Sequence, residues 1–347
     1  MSISCTQEEK NMEKDLRKKK YLYDTERFAD LINGTVCQGK QIISAKDLSD
    51  MDSQTGGFKS ESVNGRTGKK QNQRYRDLVK KATVGMNFVV IGIENQEEVH
   101  YLMPLRCMTY DAGEYERQAT NIQKKVRKQK GLSSAEFLSG FTKKDKLKPC
   151  ITLVLYYGKN WDGAKDIYSL LDFSDVPEEL RGAVSNYQIH ICEVRKFQNT
   201  DVFMTDLKQV FDCIRYSDDK EKLYELVMND PAYKEMDEDT YDVIAEYTST
   251  EQLMEVKQYK EKGKVDMCKA IEEMIQDGRM EGLNQGLEQG IKQGMGQGLE
   301  RGIQALIETC KELGLSKADT LNKVESKFKL EKEILENYLE TFWNAGN

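Results

Sequence analysis

The sequence predicts an α/β domain followed by a long helical extension, and three features carry that reading. Two short apolar runs, 88–94 and Ile151–Tyr157, have the length and β-branched character of buried strands. Between them, after Pro104, apolar residues recur at Leu105, Met108, Ala112, Tyr115, Ala119 and Ile122, which is a helical spacing. From about Asp201 the pattern turns helical and stays so. Strand, helix and strand in this order indicate an α/β fold.

The elements follow in chain order. Residues 1–20 are polar and charged and read as an exposed helical lead. Residues 21–31 read as a helix stopped near Asn33-Gly34. Residues 41–48 hold a short β-like stretch, and 49–73, rich in Ser, Gly, Asn, Gln and Lys, read as a long mobile loop. Residues 76–81 form a strand, Val84-Gly85-Met86-Asn87 supplies turn chemistry, and 88–94 is the partner strand. A further strand falls at 187–194. The predicted organisation is an α/β domain over 21–215, a helical region over 216–277, a repeat over 278–302 and a helical tail over 303–347. That tail is split near Gly314-Leu315-Ser316.

The repeat has seven glycines spaced by four, from Gly278 to Gly302, separated mostly by Glu, Gln, Leu, Ile and Met. A period of four drifts slowly around a helix of about 3.6 residues per turn, so the glycines make a slanting stripe. Such a stripe permits close helix approach, which suits a self-associating or docking helix. A flexible linker is the other reading, because each glycine costs about 1 kcal/mol relative to alanine.

Composition narrows the function. A chain of 347 residues has ample length for a core. Four prolines exclude a collagen-like chain, and 38% hydrophobic with 9% aromatic residues excludes wholesale disorder. The longest apolar run, Ile151–Tyr157, is far short of a membrane span, so no membrane partner is expected. Residues 1–20 lack an apolar core, so no signal peptide is expected. Eight cysteines without a C-x-x-C pair predict a reducing, cytoplasmic setting. Only two histidines are present, so any metal or acid–base chemistry must fall to carboxylates. His100 is expected to be a partly buried structural residue.

The net charge of −7 hides an asymmetry. Residues 1–150 hold 28 Lys and Arg against 20 Asp and Glu, whereas the remainder holds 24 against 39. The basic half is suited to a polyanion such as a nucleic acid, with a solvated uneven surface as the alternative, and residues 124–148 are strongly basic.

The candidate chemistry lies in Asp77, Glu94 and Gln96. Glu94 and Gln96 are two apart on a strand and share a sheet face. A hairpin brings Asp77 beside Glu94. Two carboxylates, the Asn95 backbone carbonyl and water form a hard oxygen site suited to Mg²⁺ or Mn²⁺. Such an ion polarises a phosphodiester and acidifies water. Arg74, Arg76, Lys80 and Lys81 flank the site as phosphate-binding candidates. The same spacing also arises when Asp77 merely opens a strand and Glu94 closes one. Against that, a carboxylate closing so apolar a strand is costly unless paired or metal-bound.

The stretches DTERFADLING, RYRDLVKKA and GIENQEEVHYLMPLRCMTYDAGEYERQ resemble the bacterial Rpn/YhgA-like putative transposases. These are also called recombination-promoting nucleases, of the PD-(D/E)XK nuclease superfamily. The resemblance covers roughly 15–215, and the glycine repeat with a short helical tail is similar to that family as well. It implies an αβββαβ core and a Mg²⁺-dependent DNA endonuclease. Asp77 and Glu94 would be the metal carboxylates, with Gln96 where most of the superfamily has lysine. It also implies an acid on the first helix, for which Asp30 and Glu26 both qualify, and a Gln or Tyr from the following helix near the site, for which Gln118 and Tyr115 stand. Core packing serves Tyr115 equally well. The lysine-to-glutamine change removes a charge that would stabilise the transition state. A nuclease-fold module that binds DNA or protein without cleaving is therefore the rival reading. No widely spaced DDE triad is evident, and the apolar strands disfavour a purely helical scaffold.

Overall fold

A computed structural model describes residues 7–51, 54–55, 74–75, 77–85, 87–248, 250, 252–253, 260–261 and 263–344. Most of the expected 49–73 loop lies outside the described residues. The chain divides into two compact units, 1–271 and 272–347. The helices beyond 215 as far as Ile271 thus belong with the α/β core.

The first unit opens with α1 (Gln7–Tyr23) and α2 (Thr25–Thr35). The break falls at Asp24, whose carboxylate accepts the Glu26 and Arg27 N–H groups and caps α2. The expected helix start at Tyr21 is therefore corrected to Thr25. The helix ends at Thr35, one residue past the expected stop near Asn33-Gly34. Asn33 uses its side-chain amide to hold the backbone of Ile42 and Ile43. At Gly34 a Cβ would lie 2.3 Å from the Phe203 ring, so the glycine serves close packing inside the helix.

Strands β1 (Leu48–Asp50), β2 (Gln54–Thr55), β3 (Arg74–Tyr75), β4 (Leu78–Val84) and β5 (Asn87–Gln96) follow. The β4–β5 hairpin turns at Gly85, whose φ of +60° favours glycine. Helix α3 (Met103–Val126) starts with Pro104 in its first turn, where the missing N–H has no helical partner to lose. Then come α4 (Ser134–Ser139), β6 (Cys150–Tyr156), α5 (Glu178–Arg181), β7 (His190–Glu193), α6 (Leu207–Tyr216) and α7 (Lys220–Asn229). The predicted strands over 76–81, 88–94, 151–157 and 187–194 each correspond to one of these, with shifted ends. The region after 201 is not wholly helical. β8 (Met236–Asp237), β9 (Lys260–Glu261) and β10 (Lys264–Val265) make a small antiparallel sheet beside α8 (Glu238–Thr248).

The main sheet is mixed, in the order β1-β4-β5-β6-β7. β1, β4 and β5 form an antiparallel meander, and β6 and β7 join parallel. One face is covered by α1, α2 and α6. Tyr21, Leu22, Leu155, Leu207 and Phe211 gather there. α3 covers the other face, where Met103, Cys107, Val154, Tyr156 and Trp161 form a buried cluster. α3 also sits differently from its apolar spacing. Leu105 and Met108 are exposed, whereas Tyr110, Asp111 and Glu114 are buried. Hydrogen bonds explain the rotation: buried Asp111 accepts from Thr152 Oγ1 at 2.8 Å and Tyr187 Oη at 2.6 Å.

In the second unit the glycine repeat is helical. α9 (Met267–Glu312) runs through it without a break. A Cβ added at any glycine from Gly278 to Gly298 would meet nothing within 4 Å, and Leu283, Leu287, Ile291 and Met295 are exposed beside them. At its end Ile303 and Ile307 pack with Val324, Leu335 and Leu339 of α10 (Lys317–Phe328) and α11 (Lys332–Asn344).

Candidate functional site

The hairpin register sets the site. Leu78 pairs with Ile93, so one step further Asp77 stands opposite Glu94. Opposed residues of an antiparallel pair share a face, and Gln96 is on that face by alternation. Asp77 and Glu94 are thus neighbours on this face, with Glu94 meeting Arg106 of α3 and Gln96 following along the same face of β5. Asp77 Oδ2 accepts the Asn95 N–H at 2.8 Å. The sequence reading assigned the Asn95 carbonyl as a ligand, but the contact in place runs through its N–H.

Each carboxylate has a cation beside it. Lys19 Nζ, from α1, lies 3.0 Å from Asp77 Oδ1. Arg106 Nη2, from the first turn of α3, lies 3.0 Å from Glu94 Oε2, and Glu94 is 0% exposed. Arg106 also donates through Nε to Tyr110 Oη at 2.7 Å. Burial lowers the Arg106 pKa, but Glu94, the Tyr110 hydrogen bond and Asp77 outweigh it, and the pKa ends above its usual value. Burial raises Tyr110, and the fields of Glu94 and Asp77 add to this. The four charged groups form a neutral quartet in partly desolvated surroundings. It can hold a hard cation on the carboxylates or an anion on Lys19 and Arg106.

Lys19, Arg106 and Tyr110 escaped the sequence reading. Arg106 and Tyr110 sit one helical turn apart at the start of the helix after Glu94, a pairing that pointed to them. Lys19 had no such signal, because its reach to Asp77 depends on how α1 crosses the sheet.

Several expected residues lie elsewhere. Buried Asp30 accepts from Met204 N, Thr205 N and Thr205 Oγ1, so it fixes the chain entering α6 and is not a site acid. Glu26 is exposed in the first turn of α2. Lys80 is 1% exposed and is not a phosphate ligand. Its ammonium meets Asp50 at 2.6 Å and lies 4.2 Å from the Tyr23 ring centre. Lys81 is half-buried, on the Asp77 face of β4. Arg76 and the side chain of Arg74 lie outside the described residues. Tyr115 Oη accepts from Cys150 N, and Gln118 bonds the Lys148 backbone. Both lie at the N-terminal end of β6, away from Glu94. His100 is exposed, not partly buried; its carbonyl accepts the Met103 N–H at the start of α3.

Beyond Gln96 a cleft of about 710 Å³ opens at the C-terminal ends of β5 and β6, walled by Glu97, Tyr101, Tyr156, Tyr157, Arg195 and Tyr247. Ligands of open α/β sheets commonly bind outside such strand ends. Among the described residues, no group of three or more His, Cys, Asp and Glu side chains is arranged to hold a metal ion. Among them, too, no helix is long and apolar enough to cross a membrane. Compared with known family models, characterised proteins and solved structures, the chain has no match.

Proposed function

We propose that the chain is a metal-dependent DNA endonuclease with Asp77, Glu94 and Gln96 as its reactive set. The observation that carries this reading is the hairpin register, which sets Asp77 across from Glu94 on one covered face. The order helix, antiparallel meander, helix, parallel strand supports it too, being the order the αβββαβ resemblance implies.

The donor set fits a hard divalent ion: two carboxylates, with the Gln96 amide oxygen on the same face. Mg²⁺ or Mn²⁺ held there would supply charge to polarise a phosphodiester and acidify water. The chain's own residues do the rest. Lys19 and Arg106 offset the charge of the carboxylates; Arg106 would also offer a donor to a phosphate oxygen, and Gln96 would orient water. The exposed apolar stripe of α9 supports self-association as part of the same proposal.

One observation favours the rival module that binds without cleaving: both carboxylates are already engaged by cations. A plasmid-nicking assay separates the two. Wild type should nick with Mg²⁺ and not with chelator, and Asp77→Ala should lose at least about a hundredfold, as expected for loss of a principal electrostatic group. Wild-type protein that binds duplex but never nicks, with Mg²⁺ or Mn²⁺, would leave the binding module standing and the endonuclease refuted.

A further inference from the structure

The segment joining α3 to β6 is a built projection whose surface suits a polyanion with apolar slots. Its short helix α4 has a fixed shape. Ser133 Oγ accepts the Glu136 N–H while Glu136 Oε2 accepts the Ser133 N–H and hydroxyl. Gly140, at φ +62°, closes the helix, and Gln123 Nε2 donates to Ser139 O at 3.0 Å, pinning it to α3. After it, Asp145 Oδ2 accepts the Thr142 N–H and hydroxyl, both at 2.8 Å.

Two consequences follow. The acids of the segment, Glu136 and Asp145, are spent on capping, and their pKa values are lowered by those hydrogen bonds. Around them Lys124, Lys125, Lys128, Lys130, Lys144 and Lys146 are exposed and make no ion pair among the described residues. The rigid tip itself presents Phe137 and Leu138, 73% and 85% exposed. Two consecutive large apolar side chains so exposed on a structured helix leave apolar area in water that a partner would cover.

We propose that this projection is a DNA-binding wedge, with Phe137 and Leu138 entering a base step while the flanking lysines meet the phosphates. The cations arise on both sides of α4 in the chain, from 124–130 and from 144–146. That arrangement matches a wedge flanked by two phosphate strands. Two apolar side chains are a small area for anchoring in a bilayer. The choice of DNA rests on the proposed function. The contact is nevertheless separate from the reactive set: Arg106 to Arg127 spans about 30 Å of helix.

The test is fluorescence anisotropy of the full chain with a labelled 24-base-pair duplex, in chelator so that no cleavage intervenes, over a salt series. Phe137→Ser/Leu138→Ser should weaken binding about tenfold with the salt slope unchanged. Lys144→Ala/Lys146→Ala should lower the slope by about 2. Both variants change exposed residues, and unaltered circular dichroism checks that they fold. A failed nicking assay with this pattern intact sinks only the endonuclease. Wild-type affinity in the Phe137/Leu138 variant overturns the wedge. So does loss of binding to phosphatidylserine-containing vesicles in that variant while duplex binding is unchanged, which would assign the projection to a membrane surface.

Discussion

Replacing Arg106 with methionine tests whether Glu94 is a buried, compensated charge. The substitution keeps much of the side-chain volume and removes the guanidinium whose Nη2 lies 3.0 Å from Glu94 Oε2. Removing one partner of a fully buried pair costs about 3–5 kcal/mol. Arg106 is 30% exposed, so solvent screening reduces this to about 2–3 kcal/mol. For a unit of this size that is a fall in melting temperature of about 4–12 °C. Part of the loss comes from the Arg106–Tyr110 hydrogen bond, so the measurement is a double-mutant cycle by thermal or urea unfolding. Arg106→Met, Glu94→Gln and their combination should give a coupling of at least about 1.5 kcal/mol. A deficit below about 0.5 kcal/mol, or a coupling indistinguishable from zero, would refute the reasoning.

Three other outcomes are expected. Asp30→Ala strips the partners from the Met204 and Thr205 N–H groups and should cost about 2–4 kcal/mol in unfolding experiments, with the Mg²⁺ concentration for half-maximal nicking unchanged; a shifted Mg²⁺ requirement would restore Asp30 to the site. Burial raises the Asp212 pKa, while Thr200 Oγ1 donates to its carboxylate at 2.8 Å. Asp212→Asn keeps that acceptor, so it should stabilise the fold at neutral pH, with the gain fading as pH falls through the raised pKa; a neutral-pH loss would contradict this. Gly286→Ala and Gly290→Ala should each add about 1 kcal/mol of helix stability, seen as increased helicity, because nothing lies within 4 Å of the new Cβ. A drop in particle mass by light scattering would instead reveal that the stripe is covered by a second copy.

Much of the fold was legible because its signals are local. The runs at 88–94 and 151–157 are too apolar and β-branched for anything but covered strands, and Gly85 marks the turn of the hairpin that joins β4 to β5. Alternation along β5 puts Glu94 and Gln96 on one face, and the hairpin puts Asp77 beside them, so the heart of the site could be read from spacing. The helical extension announced itself by period, and Pro104 marked the start of α3, whereas the Asp24 cap that opens α2 went unread.

What spacing could not settle was which partner each polar group finds. Asp30 lies in a motif stretch, yet its carboxylate turns to backbone 174 residues away. Lys80 reads as a phosphate ligand, although alternation alone sets it on the face opposite Asp77; only the tertiary structure shows that Asp50 and Tyr23 compensate it there. Lys19 and Arg106 became site residues only through the placement of α1 and α3 over the sheet. Strand alternation and helix period are properties of neighbouring residues and survive in one dimension. Burial and charge compensation depend on which distant segments meet, and there the tertiary structure decides, because a buried charge is tolerated only where another part of the chain answers it.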